Sequence, residues 1–113
     1  MMTVEDSNGE RLEVPKELLE YTNDNKMIEA LPIRLSFSDK EFILEIMLFL
    51  DLSDLSNLDK ELNYLRFART SEGFVLLVDL NGEDFKIMQE EFDDIDHLGL
   101  TLSDLRKAEW VSI

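Results

Sequence analysis

The sequence contains no cysteine, only two prolines and four glycines, and no long apolar run. The absence of cysteine excludes disulfides, thiol catalysis and cysteine metal sites, and it favours a reducing compartment. The apolar runs are far shorter than the roughly 20 residues that a membrane-spanning helix needs. The amino terminus has neither a basic segment nor an apolar core, so no secretory signal is predicted. We therefore expect a cytoplasmic protein with no membrane partner.

Basic side chains are scarce. The chain has 11 lysines and arginines against 26 aspartates and glutamates, which gives a formal net charge of −15. Such a chain repels nucleic acid and anionic lipid, so direct binding to either is not expected and a partner is predicted to be basic. The alternative interpretation is that the acidic surface only keeps the protein soluble.

Recognisable catalytic patterns are also missing. His97 is the only histidine, and a lone imidazole has neither a nucleophile pattern nor a second metal ligand beside it. Residues 79–90 carry part of the spacing of a calcium-binding loop, but Asp84 stands at the position that requires glycine. The sequence therefore predicts no enzyme, no cofactor and no metal site.

The strongest structural signals lie in the middle of the chain, which predicts three consecutive strands over residues 64–69, 74–80 and 84–88. The second of these is almost continuously aliphatic, which indicates a central strand buried on both faces. Between the second and third strands, Asn81-Gly82 supplies the positive φ angles of a tight type I′ turn. The sequence therefore predicts a three-stranded antiparallel unit.

The amino-terminal region shows weaker signals. Residues 1–13 are polar, and we expect them to fray or to form an unpaired edge. Pro15 is well placed to open a short helix, which the turn-forming residues 23–25 end. Because a helix of about eight residues has little stability alone, we expect Leu18 and Leu19 to dock on a sheet.

Strand and helix patterns alternate through the rest of the chain. Residues 33–37 alternate apolar with polar side chains, as in a half-buried strand. Residues 41–49 are predicted to return as a second strand, although they also contain helix formers. Residues 50–65 read as a connector followed by a short helix that Asn57 caps. Residues 101–110 read as a terminal helix that opens with a capping box.

Together these elements predict one α+β domain over residues 1–113. Its sheet is predicted to have about five strands, mainly antiparallel, although a mixed sheet also fits the pattern. Short amino-terminal, connecting and carboxyl-terminal helices complete the fold.

An acidic run over residues 89–97 is the main candidate site, predicted as a loop. Phe92 and Ile95 are interleaved with its acids and could anchor a partner while the acids meet a basic surface. Alternatively, both apolar side chains point into the core and the acids face water. A second acidic region, residues 51–59, could extend the same face. The predicted partner-binding residues are Glu90, Glu91, Phe92, Asp93, Asp94 and Asp96.

The order of elements resembles the SUKH superfamily. The resemblance is carried by a strand over residues 67–69, a turn with Gly73, an apolar strand over 74–80 that ends in Asp-Leu, an aromatic-bearing strand over 85–88, an acidic turn and a closing helix over 101–110. It implies an intracellular bacterial immunity protein that binds and neutralises a cognate polymorphic toxin, often a nuclease.

The preferred prediction is therefore an immunity protein whose acidic face blocks a basic toxin or nuclease domain. One alternative is a phage-type nucleic-acid mimic that occupies the groove of a DNA-binding protein. Another is a structural or regulatory domain that assembles with itself through an exposed strand edge. The oligomeric state is left open at this point.

Overall fold

A computed structural model describes residues 2–5, 9–26, 33–38, 40 and 43–110 of the chain. The described residues form ten β-strands, two α-helices and one 3₁₀ helix. In chain order the elements are β1 (Met2–Glu5), β2 (Arg11–Val14), α1 (Lys16–Lys26), β3 (Ile33–Ser36), β4 (Ile43–Phe49), the 3₁₀ helix (Leu55–Asn57), β5 (Leu58–Asp59), β6 (Tyr64–Thr70), β7 (Val75–Asp79), β8 (Lys86–Glu91), β9 (Asp94–Thr101), α2 (Leu102–Lys107) and β10 (Glu109–Trp110).

The larger sheet is fully antiparallel in its described pairings. Its strand order is β10-β3-β4-β6-β7-β8-β9, and β5 pairs with β6 beside this path. The α+β class and the antiparallel sheet are confirmed, but the eight strands exceed the predicted five or so. The additional strands β5, β9 and β10 lie where the sequence predicted a helix, an acidic loop and the end of the terminal helix.

The predicted three-stranded unit is confirmed as β6, β7 and β8. Leu76, Leu77 and Val78 of β7 are fully buried, as expected for a central strand with both faces covered. The predicted type I′ turn is wrong, because Gly82 has no positive φ and Phe85 adopts φ 51° instead. Asn81 is held elsewhere: its amide nitrogen donates to the carbonyl of Leu62 at 2.8 Å. The turn is therefore reshaped by a neighbouring loop.

The amino-terminal segment is ordered rather than frayed. β1 and β2 form a separate two-stranded antiparallel sheet. Leu12 and Val14 of β2 are buried in the core, and Val4 of β1 packs against it. The prediction failed because the period-two apolar pattern of β2 outweighs the polar composition around it. Residues 6–8 lie outside the described residues.

Both helices begin where the sequence predicts them, but α1 continues through residues 23–25, which were predicted to end it, as far as Lys26. Pro15 immediately precedes α1, and its carbonyl accepts hydrogen bonds from the amides of Leu18 and Leu19. The capping box of α2 is present, with Thr101 and Asp104 bonding reciprocally. However, α2 ends before residue 109 because the last residues pair with β3 as β10.

The predicted strand pair of the first half is confirmed. Ile33 and Leu35 of β3 are buried in alternation with half-buried residues, and Leu35 opposes Leu44 of β4. After β3 the chain turns at Lys40, whose amide donates to the carbonyl of Phe37. Residues 39, 41 and 42 lie outside the described residues.

The connector after β4 differs from its prediction. Asp54, rather than Asn57, caps the short 3₁₀ helix, and the segment that follows forms β5 and a turn. The carboxylate of Asp54 accepts a hydrogen bond from the amide of Ser56, and that of Asp51 accepts one from Ser53, both at 3.0 Å. Such local side-chain bonds compete with an α-helix. Where the helix was predicted, the carboxylate of Asp59 likewise accepts the amides of Glu61 and Leu62, both at 3.1 Å, and β5 pairs with β6, so this segment forms a strand and a turn instead.

The two faces of the large sheet are in different environments. One face packs against both helices and β2, so the core contains Leu18 of α1 and Leu105 of α2 together with strand residues such as Phe67. We call the other face the open face, because no described helix packs on it. None of the described helices is long and apolar enough to span a membrane.

Candidate protein-binding surface

The predicted acidic loop is a β-hairpin. β8 and β9 pair up to Glu91 opposite Asp94, which leaves Phe92 and Asp93 as the turn. Phe92 adopts φ 54°, an unusual angle for a residue other than glycine. Acidic residues are poor strand formers, and the turn lacks the Asn-Gly signal, so the hairpin escaped prediction. We call residues 89–97 the acidic hairpin.

Phe92 stands at the tip of the acidic hairpin with 92% of its surface exposed. The alternative prediction, in which Phe92 points into the core, is therefore wrong. Ile95 is half-buried on β9. A phenylalanine held in water at a hairpin tip gains nothing for the fold from its position there, so it is available to a partner.

The strand geometry divides the acidic cluster between two faces. Glu90 opposes Ile95 on the open face, whereas Glu91 opposes Asp94 on the other face. Asp96 opposes Gln89 and so shares the face of Glu91. All three acidic residues on that face are exposed. The acids that are close in sequence therefore do not form one surface.

Glu90 differs from the other predicted residues because it is ion-paired. Its carboxylate accepts two hydrogen bonds from Arg66 of β6, at 2.9 Å from Nε and 3.1 Å from Nη2. The hydrogen bond that Arg66 donates to Glu90 raises the pKa of Arg66 above its ordinary value. Glu90 is thus neutralised within the chain. Among the described residues, ion pairs are absent at the four other predicted carboxylates, Glu91, Asp93, Asp94 and Asp96.

Part of the open face is closed to solvent. Leu77 and Met88 lie on this face, directly opposite one another, and both are fully buried. Arg66 opposes Leu77 across the strands, and the aliphatic stem of an arginine can cover apolar neighbours while its guanidinium remains bonded.

The second acidic region meets the large sheet at a different place from the acidic hairpin. Leu58 and Asp59 pair with Leu65 and Tyr64 at the beginning of β6. The acidic hairpin is aligned instead with the end of β6 through β7. Asp59 nevertheless lies on the open face, where the charge of Glu90 and that of Asp59 both raise the pKa of Arg66.

The described residues contain no cluster of three potential metal ligands. His97 is exposed on β9, opposite Met88. In a cleft of 390 Å³ beside the start of β4, the Ser71 hydroxyl donates to Glu45. Arg34 bonds the same carboxylate at 2.6 Å. The bonds from Ser71 and Arg34 lower the pKa of Glu45, so this carboxylate is fixed as a structural acceptor.

The sequence did not single out the exposed apolar residues of β4. Ile43, Met47 and Leu48 are all exposed on this strand. The signal was available, because the uninterrupted apolar run over residues 46–49 must place hydrophobic side chains on both faces of a strand.

No protein-family model matches the chain, and the comparisons with curated proteins and with solved structures gave no significant match. The resemblance to the SUKH superfamily therefore stays a prediction based on the order of elements.

Proposed function

We propose that the chain is a non-enzymatic intracellular immunity protein of the SUKH type, which neutralises a basic toxin domain of the nuclease class. The observation that carries this proposal is the tip of the acidic hairpin. There the exposed ring of Phe92 stands among carboxylates that have no ion-pair partner in the described part of the chain.

The ring supplies the apolar part of such an interface. Burying a fully exposed phenylalanine side chain contributes about 2 to 3 kcal/mol. Aromatic side chains at the centre of an interface, surrounded by a polar rim, commonly dominate binding energy. Phe92 at the tip of a narrow hairpin can enter a cleft that a flat surface could not reach.

The carboxylates attract a basic partner and disfavour an acidic one. Surfaces that bind nucleic acid are basic, so a chain of net charge −15 is drawn towards a nuclease site and repelled by nucleic acid itself. Charged rims mainly raise the association rate and set its salt dependence. Binding through the acidic hairpin should therefore weaken as salt rises.

The test is affinity capture from a lysate of the organism that encodes the protein, at low and at high salt, with identification by mass spectrometry. The test variant carries Asp93→Lys and Asp94→Lys in the acidic hairpin. The control carries Glu83→Lys and Asp84→Lys, which change the net charge equally at exposed positions before the other end of β8.

We expect one basic toxin or nuclease to be retained by the wild type and by the control, to be lost from the test variant, and to be released by salt. Equal loss from both variants would show that only net charge matters. Capture of a DNA-binding protein unrelated to any toxin would favour the nucleic-acid mimic, and an empty capture would refute the proposal.

A further inference from the structure

Exposed hydrophobic side chains are concentrated on one strand. Five large hydrophobic residues are exposed in the described part of the chain, and three of them belong to β4. These three are Ile43 at 57%, Met47 at 44% and Leu48 at 39% exposure. Apolar groups exposed side by side mark an interaction surface more often than scattered ones do.

Leu48 begins a row of side chains that crosses the open face. The pairing runs from Leu48 to Arg69, Val75, Glu90 and Ile95 over five neighbouring strands. Val75 and Ile95 are half-buried, so the row offers apolar surface at both of its ends and in its centre. Five strands spaced about 4.8 Å apart make this row about 20 Å wide.

The charges on the open face are nearly balanced. Arg34 pairs with Glu45 on one side of the row, and Arg66 pairs with Glu90 on the other. Asp59 and Asp79 lie on the same face on either side of Tyr64, and Arg69 adds a cation for which the described residues provide no ion pair. On a chain of net charge −15, this face therefore carries only a small part of the net negative charge.

We infer that the open face binds a second copy of this chain in a two-fold symmetric dimer. Two copies of so acidic a protein repel each other least where their surface charges are paired. In this arrangement Leu48 and Ile43 of each copy are covered by the same face of the other. The carboxylates of Glu91, Asp94 and Asp96 lie on the opposite face, so they stay in solvent and remain open to a basic partner.

The size of the row sets the strength of the dimer. A stable interface buries about 800 Å² on each partner, and smaller contacts form transient complexes. The row belongs to the smaller class, so we expect dissociation in the micromolar range or weaker. Added salt should strengthen the dimer because it screens the repulsion between the two net charges.

Sedimentation equilibrium tests this inference with three proteins. Wild type, Leu48→Glu and Leu62→Glu are compared from about 10 to about 500 µM protein, at about 0.05 M and about 0.5 M NaCl. Leu62 is the matched control, because this leucine is 44% exposed but lies in the turn after β5, outside the row. We expect wild type and Leu62→Glu to dimerise more strongly at high salt, and Leu48→Glu to weaken the dimer at least about tenfold.

A wild type that stays monomeric throughout would overturn the inference, as would equal weakening by both variants or a dimer that salt dissociates. If Leu48→Glu fails to fold, the dimer is tested instead by recording amide NMR spectra of the wild type at increasing protein concentration. Concentration-dependent shifts at Val75 and Ile95, without shifts at Leu62, support the dimer, and their absence overturns it.

Discussion

The acidic hairpin and the open face of the sheet both expose apolar side chains, yet their charges are arranged in opposite ways. Around Phe92 four of the five predicted carboxylates have no ion-pair partner among the described residues, whereas on the open face Arg34 and Arg66 are each paired across strands with a glutamate. A surface of the first kind needs a partner of opposite charge. A surface of the second kind tolerates a copy of itself. Charge pairing, rather than apolar exposure, therefore separates the two surfaces.

The boundary between the two surfaces runs through β8. Glu90 belongs to the acidic run by sequence, but its side chain lies on the open face and bonds Arg66. Its neighbour Glu91 lies on the other face and has no ion pair within the described part of the chain. Adjacent acids therefore serve different surfaces, and the predictions below probe this division.

The largest expected effect lies within the open face itself. Leu77→Ala should lower the free energy of unfolding by about 3 kcal/mol, because it leaves a cavity under the Arg66–Glu90 pair. Leu48→Ala on the same face should cost under about 1 kcal/mol, since that side chain is already partly in water. Urea denaturation of the two variants measures the difference. Equal losses of stability in the two variants would contradict the distinction between the buried part of the open face at Leu77 and its exposed part at Leu48.

The Arg66–Glu90 pair should have the next largest effect. Arg66→Ala should cost about 2 kcal/mol, because it leaves Glu90 partly buried without its partner. A double-mutant cycle with Glu90→Gln isolates the coupling between the two side chains. A coupling near zero would mean that the pair behaves as an ordinary surface ion pair.

On the acidic hairpin, removing charge should stabilise the fold. Glu91 and Asp94 face each other across the strands, and like charges in such positions repel. Glu91→Gln should therefore raise the free energy of unfolding by about 0.5 kcal/mol. Asp93→Asn in the turn is the matched control, because Asp93 has no cross-strand acid, and it should change stability less. Thermal unfolding at low salt compares the stability of both variants with that of the wild type. A loss of stability in Glu91→Gln would contradict the expected repulsion between Glu91 and Asp94.

The smallest effect concerns pH. Bonds from Ser71 and Arg34 lower the pKa of Glu45 in the folded state, so its carboxylate stabilises the fold above its ordinary pKa. This contribution is lost as the pH falls through the lowered folded value. NMR titration of the Glu45 carboxyl should give a pKa below the ordinary value, and Ser71→Ala should move it upward. An unchanged pKa in Ser71→Ala would contradict the assigned cause.

Local signals account for most of what the sequence predicted correctly. The aliphatic run of β7, the alternation in β3 and the capping box of α2 each lie within a few residues, and the structure confirms all three. The segments that were predicted wrongly depend on competing local bonds or on partners. Asp59 accepts the amides of Glu61 and Leu62 where a helix was predicted, and β9 forms by pairing with β8.

The candidate site was predictable only in part. The acidic run and the presence of Phe92 within it were visible in the sequence, but their division between two faces was not. The pairing of Glu90 with Arg66 joins residues 24 positions apart, and no local pattern carries that information. The unbroken apolar run of β4 also indicated that hydrophobic side chains lie on both faces of this strand, but the run was interpreted only as evidence for a strand.

The most direct test of the central claim is to measure the affinity of the captured basic partner for three forms of this protein. These forms are the wild type, the Asp93→Lys and Asp94→Lys double variant, and Leu48→Glu, each at low and at high salt. The account predicts that the double variant loses binding, that Leu48→Glu binds the partner as the wild type does, and that salt weakens the binding of both proteins that retain it. Loss of binding in Leu48→Glu with full binding in the double variant would contradict the account, because the partner site would then lie on the open face.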